Sequence, residues 1–363
     1  MPRQKRPSLA PPGAGNSKQP ISLKRLAEHL CLSSATVSIV MNRTPLSDMI
    51  PKSTQERIWA AAREFNYRPN LIARSLRQQR TYSIGVLLPE FSDGYSGLVL
   101  SGIEDYMLAN GYAWLAASHR HKEELIREYP QLLYTRAVEG LITIDTPYDE
   151  DLPFAVVSVS GHKRVAGVTN IVLNHDHAAT LAIGHLHELG HRQIAFIKGQ
   201  SFSSDTAVRW QSIRKVCKSF GISLDPQLTA QMEGESPSPE VGYSAMKRIL
   251  ASKARFTALF AFNDVSAIGA IRALQESGLH VPSDVSVVGF DDIYGAAFHI
   301  PALTTIRQPL AKMGALAAET LIARIASPEK FSTDVEVEPE LVIRESTAKP
   351  AVASTSAAAA GRG

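Results

Sequence analysis

The sequence predicts a small all-α domain followed by a larger α/β body of two lobes. Residues 21–80 show helical periodicity and contain no convincing strand. From Tyr82 onward, short β-branched runs alternate with amphipathic helical stretches, a pattern typical of βαβ units and parallel sheets. This second block has about 265 residues, which is long for one open sheet, so two similar lobes are expected.

Eight runs are candidate strands of the α/β body. Ligands of open parallel sheets bind at the carboxyl ends of the strands, so a ligand site is expected in a cleft between the lobes. The runs are YSIGVLLP from Tyr82, YAWLAAS from Tyr112, GLITID from Gly140, FAVVSVS from Phe154, NIVLN from Asn170, QIAFIKG from Gln193, TALFAFN from Thr257 and VSVVGFD from Val285.

The composition excludes several classes of protein. The 363 residues are 44% hydrophobic and 20% charged, as in globular proteins that bury a core. No apolar run reaches the ~18 residues of a membrane-spanning helix, and the basic N-terminus lacks the apolar stretch of a secretory signal. The two cysteines, Cys31 and Cys217, are too few for a disulfide framework. We therefore expect a cytoplasmic protein with no membrane partner.

Charge is distributed unevenly along the chain. Residues 1–80 contain 14 Lys and Arg against 4 Asp and Glu, a net charge of +10, whereas the remainder has a net charge of −7. This asymmetry favours a small basic module for an anionic polymer, although a solvated basic surface would show the same charge.

Five segments are expected. Residues 1–20 and 348–363 are rich in small and polar residues without periodicity, which predicts two disordered tails. Between the tails we expect a helical domain over 21–67, a linker over 68–80 and the two-lobed body over 81–347.

The helical domain has the pattern of a helix-turn-helix. Ser22 and Ser33 are candidate N-caps of two short helices, and a third is expected to begin at Ser53 with a capping box to Glu56. Two short helices around a tight turn, supported by a third, also describe an ordinary three-helix bundle. In the second helix, Val37, Val40 and Met41 are expected to face inward, and Ser34, Ala35, Ser38 and Ile39 outward.

Longer motifs resemble the LacI/GalR (lactose repressor) family of bacterial transcription regulators. They are ISLKRLAEHLCLSSATVSIVMN, AAREFNYRPNLIARSLR, FAFNDVSAIGAIRALQESGLHVPSDVSVVGFDDI and IPALTTIRQP, and the resemblance extends over residues 21–347. It implies a homodimer that binds double-stranded operator DNA, reads bases with the second helix, and folds a hinge helix over 70–76 whose Leu76 wedges into the minor groove. The DNA-contacting residues it implies are Ser22, Leu23, Ser33, Ser34, Ala35, Thr36, Ser38, Ile39, Asn42, Tyr67, Asn70, Ala73 and Leu76.

Two residues depart from the family pattern. Cys31 stands in the turn where the family often has Gly, which adopts positive φ without strain. Ile39 follows ATVS where many members have Arg or another polar residue, so a bidentate contact to guanine is lost and a thymine methyl becomes a candidate partner.

The resemblance also implies an effector-binding core similar to periplasmic sugar-binding proteins. The residues it implies are Tyr95, Arg209, Asn263, Asp264 and Asp291. An aromatic platform with Arg and Asp groups suits a sugar, and Ser203 weakens the alternative of a purine. Asp264 could instead cap a helix, and Arg209 could pair with Asp205.

No cofactor and no catalytic constellation are predicted. His187 and His191 have the spacing of a metal pair, but no Cys or carboxylate completes a ligand set, so they fit a helix C-terminus better. A cytoplasmic carbohydrate-binding module without DNA binding and a sugar-modifying enzyme on the same fold remain the competing hypotheses. The basic hinge segment argues against the first, and the missing nucleophile–base pair argues against the second.

Overall fold

The computed structural model describes residues 21–42, 44–68, 75, 79–92, 94–147, 152–235, 238–329 and 334–351. The chain divides into two compact units, Met1–Thr81 and Tyr82–Gly363. Within the described residues, no helix is long and apolar enough to cross a lipid bilayer.

Over residues 21–42 and 44–68, the small unit forms three α-helices around an apolar centre. They are α1 (Leu23–Leu30), α2 (Ser34–Met41) and α3 (Lys52–Glu64), with a 3₁₀ turn at Pro45–Met49 between the last two. The predicted N-caps of the first two are confirmed, because Ser22 Oγ accepts from Arg25 N at 3.3 Å and Ser33 Oγ accepts from Thr36 N at 3.0 Å. The buried residues are Leu26, Ala27, Leu30, Val37, Val40, Ile58, Ala61 and Ala62.

The turn between α1 and α2 is left-handed, as the motif predicts. Cys31 ends α1 with φ 56° and ψ 40°. A side chain in this conformation costs roughly 1–2 kcal/mol that Gly would not incur. The left-handed turn is therefore present despite the backbone strain at Cys31.

The start of α3 differs from the expectation. The helix begins at Lys52 after Pro51, whose carbonyl accepts from Thr54 N and Gln55 N, and no side-chain cap is formed. The capping box predicted at Ser53 is wrong, because the helix begins before Ser53 and its N-cap, Pro51, has no side-chain group that could accept a hydrogen bond. The amide of Gln55 instead donates to the carbonyls of Ser47 and Ile50 and holds the preceding loop.

In the part of the large unit that the structure describes, the strands form two six-stranded sheets, and all eight predicted strands are present. The first sheet has the order β11-β5-β4-β3-β1-β2 and the second β12-β10-β9-β8-β6-β7; neighbours are parallel except for β10 and β12. The first comprises β1 (Ser83–Leu88), β2 (Ala113–Ser118), β3 (Gly140–Ile144), β4 (Ala155–Val159), β5 (Val168–Leu173) and β11 (Asp334–Val337). The second comprises β6 (Ile194–Lys198), β7 (Thr229–Gln231), β8 (Ala258–Ala261), β9 (Ser286–Asp291), β10 (Thr304–Arg307) and β12 (Glu340–Val342).

Helices cover the sheets and divide the unit into two lobes. The helix His175–Leu189 packs on β10 and β12, whereas Leu310–Ala326 packs on β3 and β4. The chain therefore crosses between the lobes three times: after β5, after β10, and between β11 and β12. The first lobe is thus assembled from separate stretches of chain. The helices are α4 (Gly94–Ala109), α5 (Glu123–Thr135), α6 (His175–Leu189), α7 (Ser204–Ser219), α8 (Pro239–Ala251), α9 (Asp264–Glu276), α10 (Tyr294–Phe298) and α11 (Leu310–Ala326).

The folded body extends past the expected start of the C-terminal tail. The backbone of Ala348 is hydrogen-bonded within the body. Its N–H donates to Ser286 Oγ at 2.9 Å, and its carbonyl oxygen accepts from Ser286 Oγ and from the His191 ring. The tail predicted from residue 348 is therefore wrong at its beginning. Residues 352–363 and 1–20 lie outside the described part of the chain.

Two glycines bring the backbones of α4 and α11 into direct contact. A Cβ on Gly102 would lie 1.8 Å from the carbonyl oxygen of Ala311, and one on Gly314 would lie 2.0 Å from that of Val99. No side chain fits between these helices, so their separation depends on glycine at both positions.

We expect Gly102→Ala to lower the free energy of unfolding by about 1–3 kcal/mol, because the added methyl group overpacks a backbone contact. Gly97→Ala on the same helix is the control: its Cβ would meet nothing within 4 Å, so a gain of about 0.5–1 kcal/mol is expected. Urea unfolding of both variants measures the difference. Equal stabilities would contradict the close approach.

Candidate functional site

A cleft opens at the carboxyl ends of strands from both sheets, as the parallel topology predicts. Its empty volume is about 790 Å³, part of it open to solvent, within the range of small-molecule sites. Tyr95, Arg209, Asn263 and Asp291 line it, together with Ser203. Four of the five residues expected to contact an effector therefore meet at one cavity.

Tyr95 approaches the cleft from the first turn of α4. Its hydroxyl lies 2.5 Å from Ser160 Oγ, which follows β4. Burial raises the pKa of Tyr95 well above its ordinary value, and the nearby carboxylates of Asp205 and Asp145 act in the same direction. The phenol therefore stays neutral and keeps a proton for hydrogen bonding.

Arg209 forms the floor of the cleft with Asp205, one turn earlier on α7. Its Nη2 donates to Asp205 Oδ2 at 3.0 Å and its Nη1 to the carbonyl of Phe262 at 2.5 Å. The guanidinium lies 3.6 Å from the ring centroid of Phe290 and 4.3 Å from that of Phe262. The predicted pair with Asp205 is thus present in the same side chain that lines the cleft.

Asp205 is the carboxylate of the site that pairs with cationic and imidazole side chains. Burial alone would raise its pKa, but His175, His162 and Arg209 hold the pKa of Asp205 well below its ordinary value. Asp205 therefore carries a negative charge in the interior, and Arg209 provides the matching positive charge.

Two further carboxyl groups face the cavity in a less favourable setting. Asp145 follows β3 with φ 38° and its Oδ1 accepts from Ser204 N at 3.0 Å and Ser204 Oγ at 2.6 Å. Burial and the charge of Asp205 raise the pKa of Asp145 to about 7. Asp291 accepts from Gln308 Nε2 at 2.6 Å, and burial raises its pKa well above the ordinary value.

Asn263 and Asp264 have different roles despite being adjacent. Asn263 is the N-cap of α9: its Oδ1 accepts from Ser266 N, and Ser266 Oγ accepts from Asn263 N. Asp264 is fully buried and does not line the cleft, because its carboxylate accepts from Thr305 Oγ1 at 2.6 Å and Ile293 N at 2.9 Å. The side chain of Asp264 is therefore neither the cap of α9 nor part of the cleft lining, the two roles considered from the sequence.

Sequence reasoning missed several side chains of the cleft, among them Asp145, His121 and Phe202. Asp145 is the acidic residue at the end of β3, a position that parallel sheets reserve for ligand sites and that could have identified it. At the cleft, the rings of His121 and Phe202 contact each other with centroids 3.9 Å apart and planes tilted by 34°. Both lie on loops, where no periodic pattern reveals them.

In the small unit, the face of α2 has the exposure that the pattern predicts. Ser34 and Ala35 are exposed, Thr36, Ser38 and Ile39 are half-buried, and Asn42 ends the helix with its amide on the carbonyl of Ser38. Ser22 and Ser33 are exposed, whereas Leu23 and Tyr67 are half-buried. Asn70, Ala73 and Leu76 lie outside the described residues.

His187 and His191 do not form the i,i+4 pair considered from their spacing. The helix ends at Leu189, and the ring of His191 is buried, 2.8 Å from Thr257 Oγ1 and 2.9 Å from the carbonyl of Ala348. His187 instead packs beside Phe220, with ring centroids 4.9 Å apart.

A helix-turn-helix module followed by a two-lobed cleft defines the class of DNA-binding transcriptional regulators with an effector-binding core. Comparisons with known proteins agree. Residues 183–347 match the family model described as periplasmic binding protein-like domain. The chain is 31% identical to the HTH-type transcriptional repressor PurR of Haemophilus influenzae over 335 residues, which cover 90% of this chain and 98% of that protein.

Other relatives extend the comparison. The PurR repressor of Yersinia enterocolitica is 34% identical over 337 residues, covering 90% of this chain and 97% of that protein. The crystal structure of the Lac repressor dimer bound to operator and an anti-inducer superposes with a TM-score of 0.79 at 27% identity, covering 91% of this chain and 100% of that chain. The chain belongs to the LacI family of transcriptional regulators.

Asp264 predicts a pH dependence of stability. Burial raises its pKa from 3.8 to about 7, so the folded protein holds a proton there that the unfolded chain releases. The contribution of Asp264 to the free energy of unfolding is fully present below pH 3.8 and is lost as the pH rises to about 7. In Asp264→Asn, the free energy of unfolding should fall less across this window. Urea unfolding at several pH values tests this, with the exposed Asp105→Asn as control; a slope equal to that of the parent would contradict it.

Proposed function

We propose that the protein is a repressor that binds an operator as a symmetric homodimer and whose DNA affinity is controlled by a small ligand in the cleft. The observation that carries the proposal is the extent of the match: relatives named as transcriptional repressors are covered over 97–98% of their length, from the helical module through the cleft. Binding to an operator would place the protein in the cytoplasm with the chromosome. The proposal includes no catalytic step.

The DNA-binding part of the proposal rests on α2. Its outward face carries short side chains, the exposed Ser34 and Ala35 and the half-buried Ser38, which let a helix lie deep in the major groove. Two modules related by a two-fold axis would read a pseudo-palindrome. The proposed minor-groove wedge at Leu76 belongs to the hinge outside the described residues and comes from the family resemblance.

A carbohydrate-binding protein without DNA binding is the competing hypothesis, and salt dependence separates the two. A steep loss of DNA affinity with added salt is expected from a protein that neutralises several phosphates. Sedimentation on DNA should show two chains for each duplex. The absence of measurable DNA binding at low salt would favour the competing hypothesis.

Ile39→Ala should weaken binding to a selected operator about tenfold while leaving binding to random-sequence DNA unchanged. The variant loses apolar area that we expect against a thymine methyl, and the contact reads a base rather than the backbone. Anisotropy titrations with DNA selected by this chain measure both affinities. Leu46→Ala removes an aliphatic side chain that is 55% exposed outside α2 and is the control. A proportional loss on both DNAs would contradict base reading by Ile39.

The effector part of the proposal rests on the polar groups of the cleft. Arg209, Asp145 and Asp291 offer charged or strongly polar partners for hydroxyl groups, and the rings of His121 and Phe202 offer aromatic surface. Paired hydroxyls and an apolar ring face are features of sugars. One related solved structure, a CelR regulator in complex with cellobiose, has a TM-score of 0.66 at 25% identity and covers 90% of this chain and 99% of that one.

A thermal-shift screen of sugars and nucleobases identifies the ligand class, because a ligand of the folded state raises the melting temperature. With the hit in hand, Arg209→Ala should lose about 1.5–3 kcal/mol of ligand binding, or roughly tenfold to hundredfold in affinity. Operator affinity without ligand should stay close to that of the parent, since α2 does not contain this side chain.

Arg214→Ala, an exposed position on the same helix, is the matched control for Arg209→Ala. Its ligand affinity and its ligand-dependent change in operator binding should equal those of the parent. If Arg209→Ala still responds at the original ligand concentration, Arg209 serves only its buried pair with Asp205. The ligand would then contact other parts of the cleft wall.

A further inference from the structure

Three metal-ligating side chains converge beside the cleft floor. His162 lies on the loop between β4 and β5 in the first lobe, whereas His175 begins α6 and Asp205 lies in the first turn of α7 in the second. Oδ1 of Asp205 is 2.5 Å from Nε2 of His162 and 3.4 Å from Nε2 of His175. One possible ligand atom from each residue lies within 4.8 Å of the others.

The ring of His175 is buried beside Asp205, with Nε2 3.4 Å from Oδ1, but the contact lacks hydrogen-bond geometry. Its side chain is 3% exposed, and neither ring nitrogen makes a hydrogen bond within the described residues. A neutral imidazole carries one N–H and one lone pair, and leaving such groups unpaired in the interior is costly. Coordination of an ion by Nε2 would use the lone pair that faces Asp205.

The charge of Asp205 also favours a cation. Arg209 uses Oδ2 of Asp205, so Oδ1 stays directed at the two imidazoles. An ion at Oδ1 would have one carboxylate and two imidazoles around it.

We propose that His162, His175 and Asp205 bind a divalent transition-metal ion such as Zn²⁺, which joins the two lobes. Two imidazoles and a carboxylate are a ligand set of zinc, with water at the fourth position. Zinc–ligand bonds of roughly 2.0–2.1 Å place tetrahedral ligand atoms about 3.3 Å apart. The pair of His175 and Asp205 already has this separation, and His162 Nε2, now 2.5 Å from Asp205 Oδ1, would move away from that oxygen.

The ion can reach this position from solvent. Behind the floor, a second cavity with an empty volume of about 760 Å³, largely open, is lined by His162 and His175. It is separate from the effector cleft, whose lining includes Asp205 but neither histidine. Metal and effector would therefore occupy opposite sides of Asp205.

Calorimetric titration of ZnCl₂ into the untagged, chelator-dialysed full chain tests the proposal. A Cys31→Ser background removes the exposed thiol as a competing ligand. We expect one ion per chain, a rise in melting temperature with ZnCl₂, and at least a tenfold weaker affinity in His162→Gln and in His175→Gln. The control is His187→Gln on the same helix as His175, which should bind like the parent. MgCl₂ should not bind, because Mg²⁺ prefers oxygen ligands.

Circular dichroism of each variant establishes that it is folded, and His162, on a loop, can be replaced without disturbing a helix. No binding by the parent chain, or unchanged affinity in a folded His162→Gln variant, would overturn the proposal. The titration uses neither DNA nor effector. Its result is thus independent of the proposed function.

Discussion

The arrangement of the cleft depends on one buried carboxylate, Asp205. It pairs with Arg209 on its own helix and with His162 from the other lobe. Arg209 in turn sits against two phenylalanine rings and the carbonyl of Phe262. Removing one partner of such a buried pair typically costs about 3–5 kcal/mol, since the other charge is left in the interior. Asp205 therefore positions the floor of the site and also connects the lobes that enclose it.

Much of the fold follows from local patterns in the sequence. Runs such as VSVVGFD are too apolar and β-branched to be anything other than buried strands, and they formed the eight strands that were predicted. The strands that escaped prediction, β7, β10, β11 and β12, have three or four residues and mixed polarity. One of them, β11, pairs with β5, more than 160 residues earlier in the chain. The start of α3 was misplaced because the helix begins before Ser53, after an N-cap, Pro51, that has no side-chain acceptor.

The sequence predicted those residues of the cleft that lie in family motifs or at the ends of strands. Tyr95, Arg209, Asn263 and Asp291 were placed on the cleft wall by these signals. Asp264 follows the same strand end as Asn263, but the first turn of a helix rotates adjacent side chains by roughly 100°, which aims it at Thr305 instead. The direction of a side chain beyond a strand depends on packing partners such as Gly289, which leaves room for the Asp264 carboxylate. No local pattern contains that information.

The contact between α4 and α11 has a consequence for synthesis on the ribosome. Because α11 completes the first lobe only after nearly all of the second has been made, the face of α4 that contains Gly102 stays uncovered through most of translation. The helical module, in contrast, has its whole core within residues 26–62 and can fold as soon as it emerges. A nascent chain would thus have a folded helix-turn-helix module long before it could bind a ligand. Chaperone protection of the incomplete first lobe would therefore affect regulation as well as the yield of folded protein.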